Sequence, residues 1–479
     1  MKKIICCIVA LMMVMSMLAA CSETAGNSVK LDPADYETDE KLITIADMPP
    51  NPFDAEAVQL YKDMGFTHWI LTEDHVPLVE NGTLSEGYKE AIGILSEQGF
   101  EIWIRNMQND PEYFQIKEDK SGSNYGYQYT LAPRDITDDF DQFSAVTGFY
   151  MMDEPFQITK TDDPSTDDKE NLHPAFDQLD TLIQWKNTYY PDAFWHINHV
   201  GSSSWDHYPA GTTYADFIDA YVENVLKKLE GGGRSICMDN YPLPDGGKVI
   251  KEAFLYDVLV LAHATKNYNA SAAEGQQAVM GICLQTMQDS NLKLRDITSS
   301  SDVTFQMYTG LAGGARLFEY FCYRSLEGVG LAGIVDMTGE KRIYDYVLEA
   351  NERMQPFEKI VCAFDWQGMT VNHGSQSGME NIFETVQELV AEDTGVLTKM
   401  DSRYDAIAGH FKQGEQDGYM VVNYTAPDLE LTNIITLTFA GCEQVLIYTE
   451  EGVRQQNLVD GGTLRLTLGC GQAAFVIPV

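Results

Sequence analysis

The chain is poor in basic residues, with 32 lysines and arginines against 72 aspartates and glutamates among its 479 residues, so its formal charge is −40. Nucleic-acid binding that ignores base sequence needs basic side chains to replace phosphate counterions. Docking on anionic lipid needs a basic face. The composition therefore argues against both functions. It favours neutral or cationic partners, and a carbohydrate fits that description.

Cysteine is also scarce, and its nine copies contain no CxxC pair. This excludes a zinc ribbon or a thioredoxin motif on sequence grounds. Cys237, Cys283 and Cys322 lie in apolar runs, where cysteine usually acts as a small buried hydrophobe. The sequence leaves open whether Cys442 and Cys470 pair. The chain has no internal repeat and no low-complexity tract.

A single long apolar run occupies residues 4–20, directly after two lysines. It is too short for a comfortable membrane span and is typical of a secretory signal. The run ends in Leu-Ala-Ala-Cys21, which resembles the lipobox of bacterial lipoproteins, where the cysteine becomes the lipidated first residue. We predict a signal peptide over 1–20, a lipidated Cys21 with a polar tether over 21–40, and membrane attachment at the cell surface. The alternative is a plain signal peptide that happens to contain Cys21.

From residue 41 onward, short apolar runs alternate with amphipathic helical patterns. Near-continuous apolar runs are expected for parallel strands that are buried on both faces. The eight predicted strands are 42–46, 67–71, 101–104, 148–152, 194–198, 235–238, 278–284 and 316–321. Eight strands separated by helices predict a (β/α)8 barrel over residues 41–363. This region is longer than the ~250 residues typical of such a barrel. The additional residues lie mainly in loops at 109–134 and 157–173.

The sequence pattern changes after Trp366. Short runs in which apolar and polar residues alternate are separated there by turns that contain Gly, Asp and Asn. Such alternation predicts antiparallel strands with one buried face. The six predicted strands are 407–411, 418–424, 434–439, 444–448, 463–468 and 473–477. We therefore predict a smaller all-β sandwich domain over residues 364–479.

Polar and aromatic side chains follow nearly every predicted barrel strand. Chemistry in barrels lies at the carboxyl ends of the strands. Carboxylates, amides and histidines hydrogen-bond hydroxyl groups, and aromatic faces stack on sugar rings. The predicted substrate-binding residues are Asp74, His75, Trp103, Arg105, Asp153, His196, Asn198, Tyr241, Gln285, Glu319 and Tyr323.

The sharpest motif is Gly148-Phe-Tyr-Met-Met-Asp-Glu-Pro155, in which an apolar strand delivers two carboxylates to its end. Here the chain resembles the (β/α)8-barrel glycoside hydrolases, in which a Glu at the end of strand four, commonly within Asn-Glu-Pro, protonates the glycosidic oxygen. Glu154 matches that acid, and the resemblance implies that its pKa is raised. Asp153 replaces the usual Asn.

The resemblance is incomplete at strand seven, where retaining members of that group place a nucleophilic Glu. This chain has Gln285 there, which has no charge with which to attack. Asp239, at the end of strand six, and Glu319, on strand eight, remain as partners for Glu154. Strand eight is opposite strand four, so distance favours Asp239. We predict Glu154 and Asp239 as the catalytic pair.

Three functions remain open on this reading. The first is a surface-anchored glycoside hydrolase that acts on a carbohydrate through paired carboxylates. The second is a non-catalytic glycan-binding lipoprotein that has lost its strand-seven nucleophile. The third is another barrel hydrolase or lyase, for example a metal-assisted one that uses His196, Asn198, His199 and Asp239. Histidines at that spacing more often line a site than bind metal, so no metal and no cofactor are expected.

Overall fold

The computed structural model describes residues 31–80, 83–105, 114–119, 126–131, 140–154, 176–203, 212–326, 328, 330–378 and 380–479. The predicted signal peptide, the lipidation site Cys21 and much of the two predicted loops lie outside these residues. The chain divides into two units, Met1–Asp35 and Tyr36–Val479. In the first, the described residues contain one 3-10 turn at Pro33–Asp35. No described helix is both long and apolar enough to cross a bilayer.

Eight parallel strands form the first domain of the larger unit. They are β1 (Ile43–Ala46), β2 (His68–Leu71), β3 (Glu101–Arg105), β4 (Val146–Asp153), β5 (Phe194–Val200), β6 (Arg234–Asp239), β7 (Ala278–Gln285) and β8 (Leu317–Phe321). Their order in the sheet is β1-β8-β7-β6-β5-β4-β3-β2, with every paired neighbour parallel. This order confirms the predicted barrel.

The barrel closes where β1 and β2 lie side by side. The backbone N–H of Thr67 donates to the carbonyl of Thr44 at 3.0 Å. In return, the N–H of Thr44 donates to the Thr67 hydroxyl at 3.1 Å. One threonine hydroxyl therefore replaces a backbone acceptor at this seam.

Helices flank the strands on the outside of the barrel. They are α1 (Ala55–Asp63), α2 (Glu86–Glu97), α3 (Asp180–Tyr189), α4 (Tyr214–Asn224), α5 (Lys251–Asn269), α6 (Ser300–Ala312) and α7 (Tyr344–Cys362). Polar caps begin several of them: Asp54 accepts from two N–H groups of α1, and Thr213 forms a capping box with Asp216 of α4. Between β3 and β4 the described residues form a hairpin, Phe114–Asp119 with Gly126–Leu131.

Large side chains fill the barrel interior. The buried cluster there consists of Ile45, Ile70, Trp103, Tyr150, Cys237 and Leu317. Trp103 stacks on Phe194 with ring centroids 4.8 Å apart. A Cβ at Gly148 would lie 2.8 Å from the Trp103 ring, so glycine is what admits the indole at this point. The interior is a packed core and not a pore.

Nine antiparallel strands form the second domain. They are β9 (Asp365–Asn372), β10 (Leu397–Ser402), β11 (Ala406–Gln413), β12 (Gln416–Asn423), β13 (Asn433–Phe439), β14 (Gln444–Thr449), β15 (Gly452–Asn457), β16 (Thr463–Leu468) and β17 (Ala473–Pro478). A six-stranded sheet of order β9-β11-β12-β17-β14-β15 and a three-stranded sheet of order β10-β13-β16 share one apolar core. The predicted all-β domain is confirmed.

The two domains pack closely around α6. The Thr304 hydroxyl of α6 donates to the carbonyl of Gly471 at 2.7 Å, and Arg353 of α7 pairs with Glu450 at 2.8 Å. A Cβ at Gly409 of β11 would lie only 2.0 Å from the carbonyl oxygen of Ala312, so only glycine permits this approach.

The six cysteines among the described residues are free thiols. The Sγ of Cys470 lies 3.3 Å from the carbonyl of Pro427, and that of Cys442 lies 3.5 Å from the carbonyl of Ala440. The pairing that the sequence left open is therefore absent from this structure.

Candidate active site

Two carboxyl groups meet at the mouth of the barrel. Asp239 ends β6, Glu154 directly follows β4, and their side chains hydrogen-bond to each other. Asp239 is only 8% exposed. Burial, followed by the nearby charge of Glu154, raises the pKa of Asp239 well above its usual value. Two carboxyls in this relation hold one proton between them, so one of them can act as an acid while the other is ionised.

The backbone of Glu154 is in the left-handed region, with φ of 43°. A residue with a Cβ pays about 1–2 kcal/mol for this conformation. The N–H of Glu154 donates to the carbonyl of Asn198 at 2.9 Å, which ties the end of β4 to β5. Such strain is common where a side chain is held for function.

A bulge in β4 prepares this geometry. The pairing of β4 with β5 shifts register between Tyr150 and Met152. A bulge re-aims the side chains that follow it. As a result Tyr150 and Asp153 share a face although they are three positions apart, and the Tyr150 hydroxyl donates to Oδ1 of Asp153 at 3.1 Å.

Arg105 joins two further acids at the mouth. Its guanidinium donates to Oδ1 of Asp47 and, at 2.9 Å, to Oδ2 of Asp153. It lies over the ring of Tyr150, 4.4 Å from the centroid. The Asp153 side chain is partly exposed; its partial removal from water raises the pKa of Asp153, although the charge of Arg105 acts against the shift. Asp47 is absent from the predicted binding set, but its position directly after β1 was a usable signal.

Asn198 lies on β5, between the strand that carries Asp153 and the strand that carries Asp239. Its Nδ2 donates to Oδ1 of Asp153 at 3.4 Å, and the residue is 3% exposed. Its Oδ1 has no hydrogen-bond partner among the described residues, and the same holds for Oδ1 of Asp239. Buried acceptors of this kind are costly unless a ligand or water supplies a donor.

A buried pair lies inside the barrel beneath the mouth. Nε2 of His196 is 3.1 Å from Oε2 of Glu319, and Nδ1 of His196 is 2.8 Å from the Ser235 hydroxyl. His196 is 0% exposed and Glu319 is 1% exposed. These two predicted binding residues therefore belong to the barrel core in this structure.

This pair also belongs to a possible metal-binding group. Ligand atoms of His196, Cys237 and Glu319 lie within 4.8 Å of one another. Imidazole, thiolate and carboxylate are ligands that zinc accepts. The other set considered from sequence is not assembled, because His199 faces away from the barrel interior and packs against Tyr221 of α4, with ring centroids 4.2 Å apart. Burial lowers the pKa of His199 to about 3.

Three residues expected to bind substrate lie elsewhere. Trp103 is 1% exposed within the barrel core. Tyr323 is 1% exposed and packs on Tyr61, with centroids 5.2 Å apart. Gln285 is fully buried, and its amide bonds the N–H and carbonyl of Leu243 and the carbonyl of Arg295. Gln285 therefore braces two loops instead of facing a ligand.

The remaining predicted residues lie around the mouth. Tyr241 follows Asp239 by two positions and stacks on Phe321, with centroids 6.0 Å apart. The ring pair forms an aromatic surface beside β6 and β8. Asp74 is exposed and His75 is half-buried in the loop after β2. Burial, and then the charge of Arg324, lower the pKa of His75.

The chain matches no known family profile and no curated protein sequence. Among solved structures, it is similar to a catalytic mutant of a GH42 β-galactosidase from G. stearothermophilus, with a TM-score of 0.53 and 10% identity over 93% of this chain and 99% of that one. A family 51 α-L-arabinofuranosidase from Bifidobacterium longum has a TM-score of 0.43 and 12% identity over 90% of this chain and 91% of that one. The likeness to the GH42 enzyme concerns the fold.

Some neighbours are much longer than the matched part. The β-galactosidase from the psychrophilic Marinomonas ef1 has a TM-score of 0.40 and 12% identity over 66% of this chain, and the match covers 59% of that enzyme.

Proposed function

We propose that this protein hydrolyses a glycosidic bond at the barrel mouth, with Glu154 as the general acid and Asp239 as its partner. The observation that carries the proposal is the direct hydrogen bond between the two carboxyl groups. Glu154 would protonate the glycosidic oxygen as the bond to the anomeric carbon breaks. When the shared proton lies on Glu154, the ionised Asp239 would attack that carbon as the bond breaks, or would take a proton from the attacking water.

The spacing of the pair favours attack by Asp239 itself. Carboxyl groups stand ~5–5.5 Å apart in retaining glycosidases and ~6.5–9.5 Å apart in inverting ones. Two carboxyl groups in direct contact need a smaller movement to reach the retaining separation than to reach the inverting one. We therefore propose a retaining reaction with Asp239 as the nucleophile, which would replace the Glu that strand seven lacks.

The second candidate is a glycan-binding protein without catalysis. Gln285 favours it, because this residue ends β7 and its amide is fully used in holding loops. The polar mouth and the surface of Tyr241 and Phe321 would serve either function.

A panel of glycans, assayed for both binding and release of reducing ends, tests the proposal. Hydrolysis by the wild type, together with its loss in Glu154→Gln and Asp239→Asn, is the expected result. Asp219→Asn removes a carboxylate from the exposed face of α4 and should leave the rate unchanged. Binding without release in the wild type would select the glycan-binding function, and turnover that EDTA abolishes would select metal-assisted chemistry.

We also propose that the protein is a lipoprotein anchored to the cell membrane through Cys21. The Leu-Ala-Ala-Cys21 sequence supports this. Stable anchoring takes more than one acyl chain. An anchored hydrolase would meet its substrate outside the cytoplasm.

A further inference from the structure

We propose, building on the hydrolase function above, that the site prefers a sugar carrying a protonated amino group. The ammonium would be held by Oδ1 of Asn198 and Oδ1 of Asp239. The substrate class is thus an amino glycoside whose nitrogen is free and not acetylated.

The charges around the mouth support a cationic ligand. The acidic side chains at or beneath it are Asp47, Asp153, Glu154, Asp239 and Glu319. The described basic partners of this group are Arg105 and His196. The carboxyl groups of this set outnumber its basic groups by three, and Asp47, Asp239 and Glu319 among them are buried. A positive ligand is attracted to such an excess of acidic groups.

The two unpartnered oxygens supply the geometry. Asn198 and Asp239 lie on adjacent strands, β5 and β6, and are 3% and 8% exposed. The amide nitrogen of Asn198 contacts Asp153. The carboxyl of Asp239 contacts Glu154, which directly follows Asp153 in the chain. Both oxygens can accept a hydrogen bond. An ammonium offers three donors and a hydroxyl only one.

Isothermal titration calorimetry tests the preference with the methyl glycosides of galactosamine, galactose and N-acetylgalactosamine, together with the matching glucose series, at pH 6.5. We expect at least one amino glycoside to bind tenfold or more tightly than its hydroxyl parent, and acetylation to abolish the gain. Asn198→Leu should reduce the ratio below threefold. Asn198→Asp adds a charge at the same position and should increase the ratio, so it serves as the test should the leucine variant fail to fold.

Asp219→Asn is the matched control, since it removes one acid from the outer face of α4. It should preserve the ratio. Equal affinities for amino and hydroxyl glycosides, no binding of any amino glycoside, or an equal loss in the control would each overturn the inference. Sugar release by the wild type and its loss in Glu154→Gln are measured separately. The hydrolase function can therefore stand when the cation preference fails, and the preference can stand without hydrolysis.

Discussion

Asp239 hydrogen-bonds to Glu154 across the end of one intervening strand, β5. Two acids from non-adjacent strands thereby hold one proton, and Asn198 of the strand between them contacts the neighbouring Asp153. The arrangement gives the two acids different expected roles, which variants can separate.

The role of Glu154 predicts a dependence on the leaving group. In Glu154→Gln, turnover of a glycoside with a poor leaving group should fall ~10²–10⁴-fold, the usual contribution of general acid catalysis. A nitrophenyl glycoside needs less protonation and should lose less in its bond-breaking step. Asp239→Asn should slow both substrates. Steady-state rates on the two substrates check this, and equal losses in Glu154→Gln would contradict the acid role.

The backbone of Glu154 predicts that glycine relieves strain there. Glu154→Gly and Glu154→Ala both lose the carboxyl group, but only glycine adopts φ of 43° without cost. We expect the glycine variant to be more stable by about 1 kcal/mol in chemical denaturation. Asp460, an exposed turn residue with the same φ, is the control: the same two substitutions should differ similarly there and leave activity intact. Equal stabilities at position 154 would show that its backbone is unstrained.

Gln285 predicts that a carboxylate cannot simply be restored to β7. In Gln285→Glu, a buried charge would face the carbonyls of Leu243 and Arg295. We expect a loss of about 3–5 kcal/mol in the free energy of unfolding, as for other unpaired buried charges, and no gain in turnover. Gln277→Glu is the control, because this exposed residue uses only its oxygen, which accepts from Gly275. A faster enzyme would show that position 285 reaches the substrate.

Asp257 predicts a pH-dependent stability. It is 0% exposed, and burial raises its pKa to about 7. The folded-state pKa of Asp257 lies above its unfolded value of about 3.9, so its contribution to stability is fully present when the pH is below that unfolded value. This contribution is lost as the pH rises toward 7. Relative to Asp257→Asn, the wild type should lose about 2–4 kcal/mol between pH 4 and pH 8. Urea denaturation across this range measures the difference, and parallel curves would rule the shift out.

Cys21 predicts the cellular location. Cys21→Ser should leave the barrel folded and move the protein from the membrane fraction to the soluble or secreted fraction. Cys442→Ser, which alters a free thiol in the second domain, should not change the distribution. Detergent-reversible membrane association that persists in Cys21→Ser would contradict lipid attachment.

Much of the fold was predictable because buried parallel strands leave near-continuous apolar runs. The strands missed in the second domain are β9, β10 and β15, which are all edges of their sheets. Edge strands bury fewer side chains and tend to carry polar residues, so the alternation that marks a strand is weak in them.

The site was predictable only in part. Glu154 and Asp239 follow apolar runs and come together as their positions suggested. The shared face of Tyr150 and Asp153 was not predictable, because strict alternation puts residues three apart on opposite faces and a bulge leaves no clear sequence signal. A polar residue at a strand end also does not reveal whether neighbouring loops use its hydrogen-bonding groups, as they use those of Gln285.

The position of α6 has a consequence for the order in which the chain is made. Twelve of its residues are buried, from Ser300 to Ala312 with Ser301 excepted, because it lies between the barrel and strands that follow it by roughly a hundred residues. While the ribosome adds those last strands, one side of α6 has nothing to cover it. We expect the barrel to remain incomplete until the carboxyl-terminal strands emerge, so a nascent chain halted near Cys362 should be sensitive to protease and dependent on chaperones.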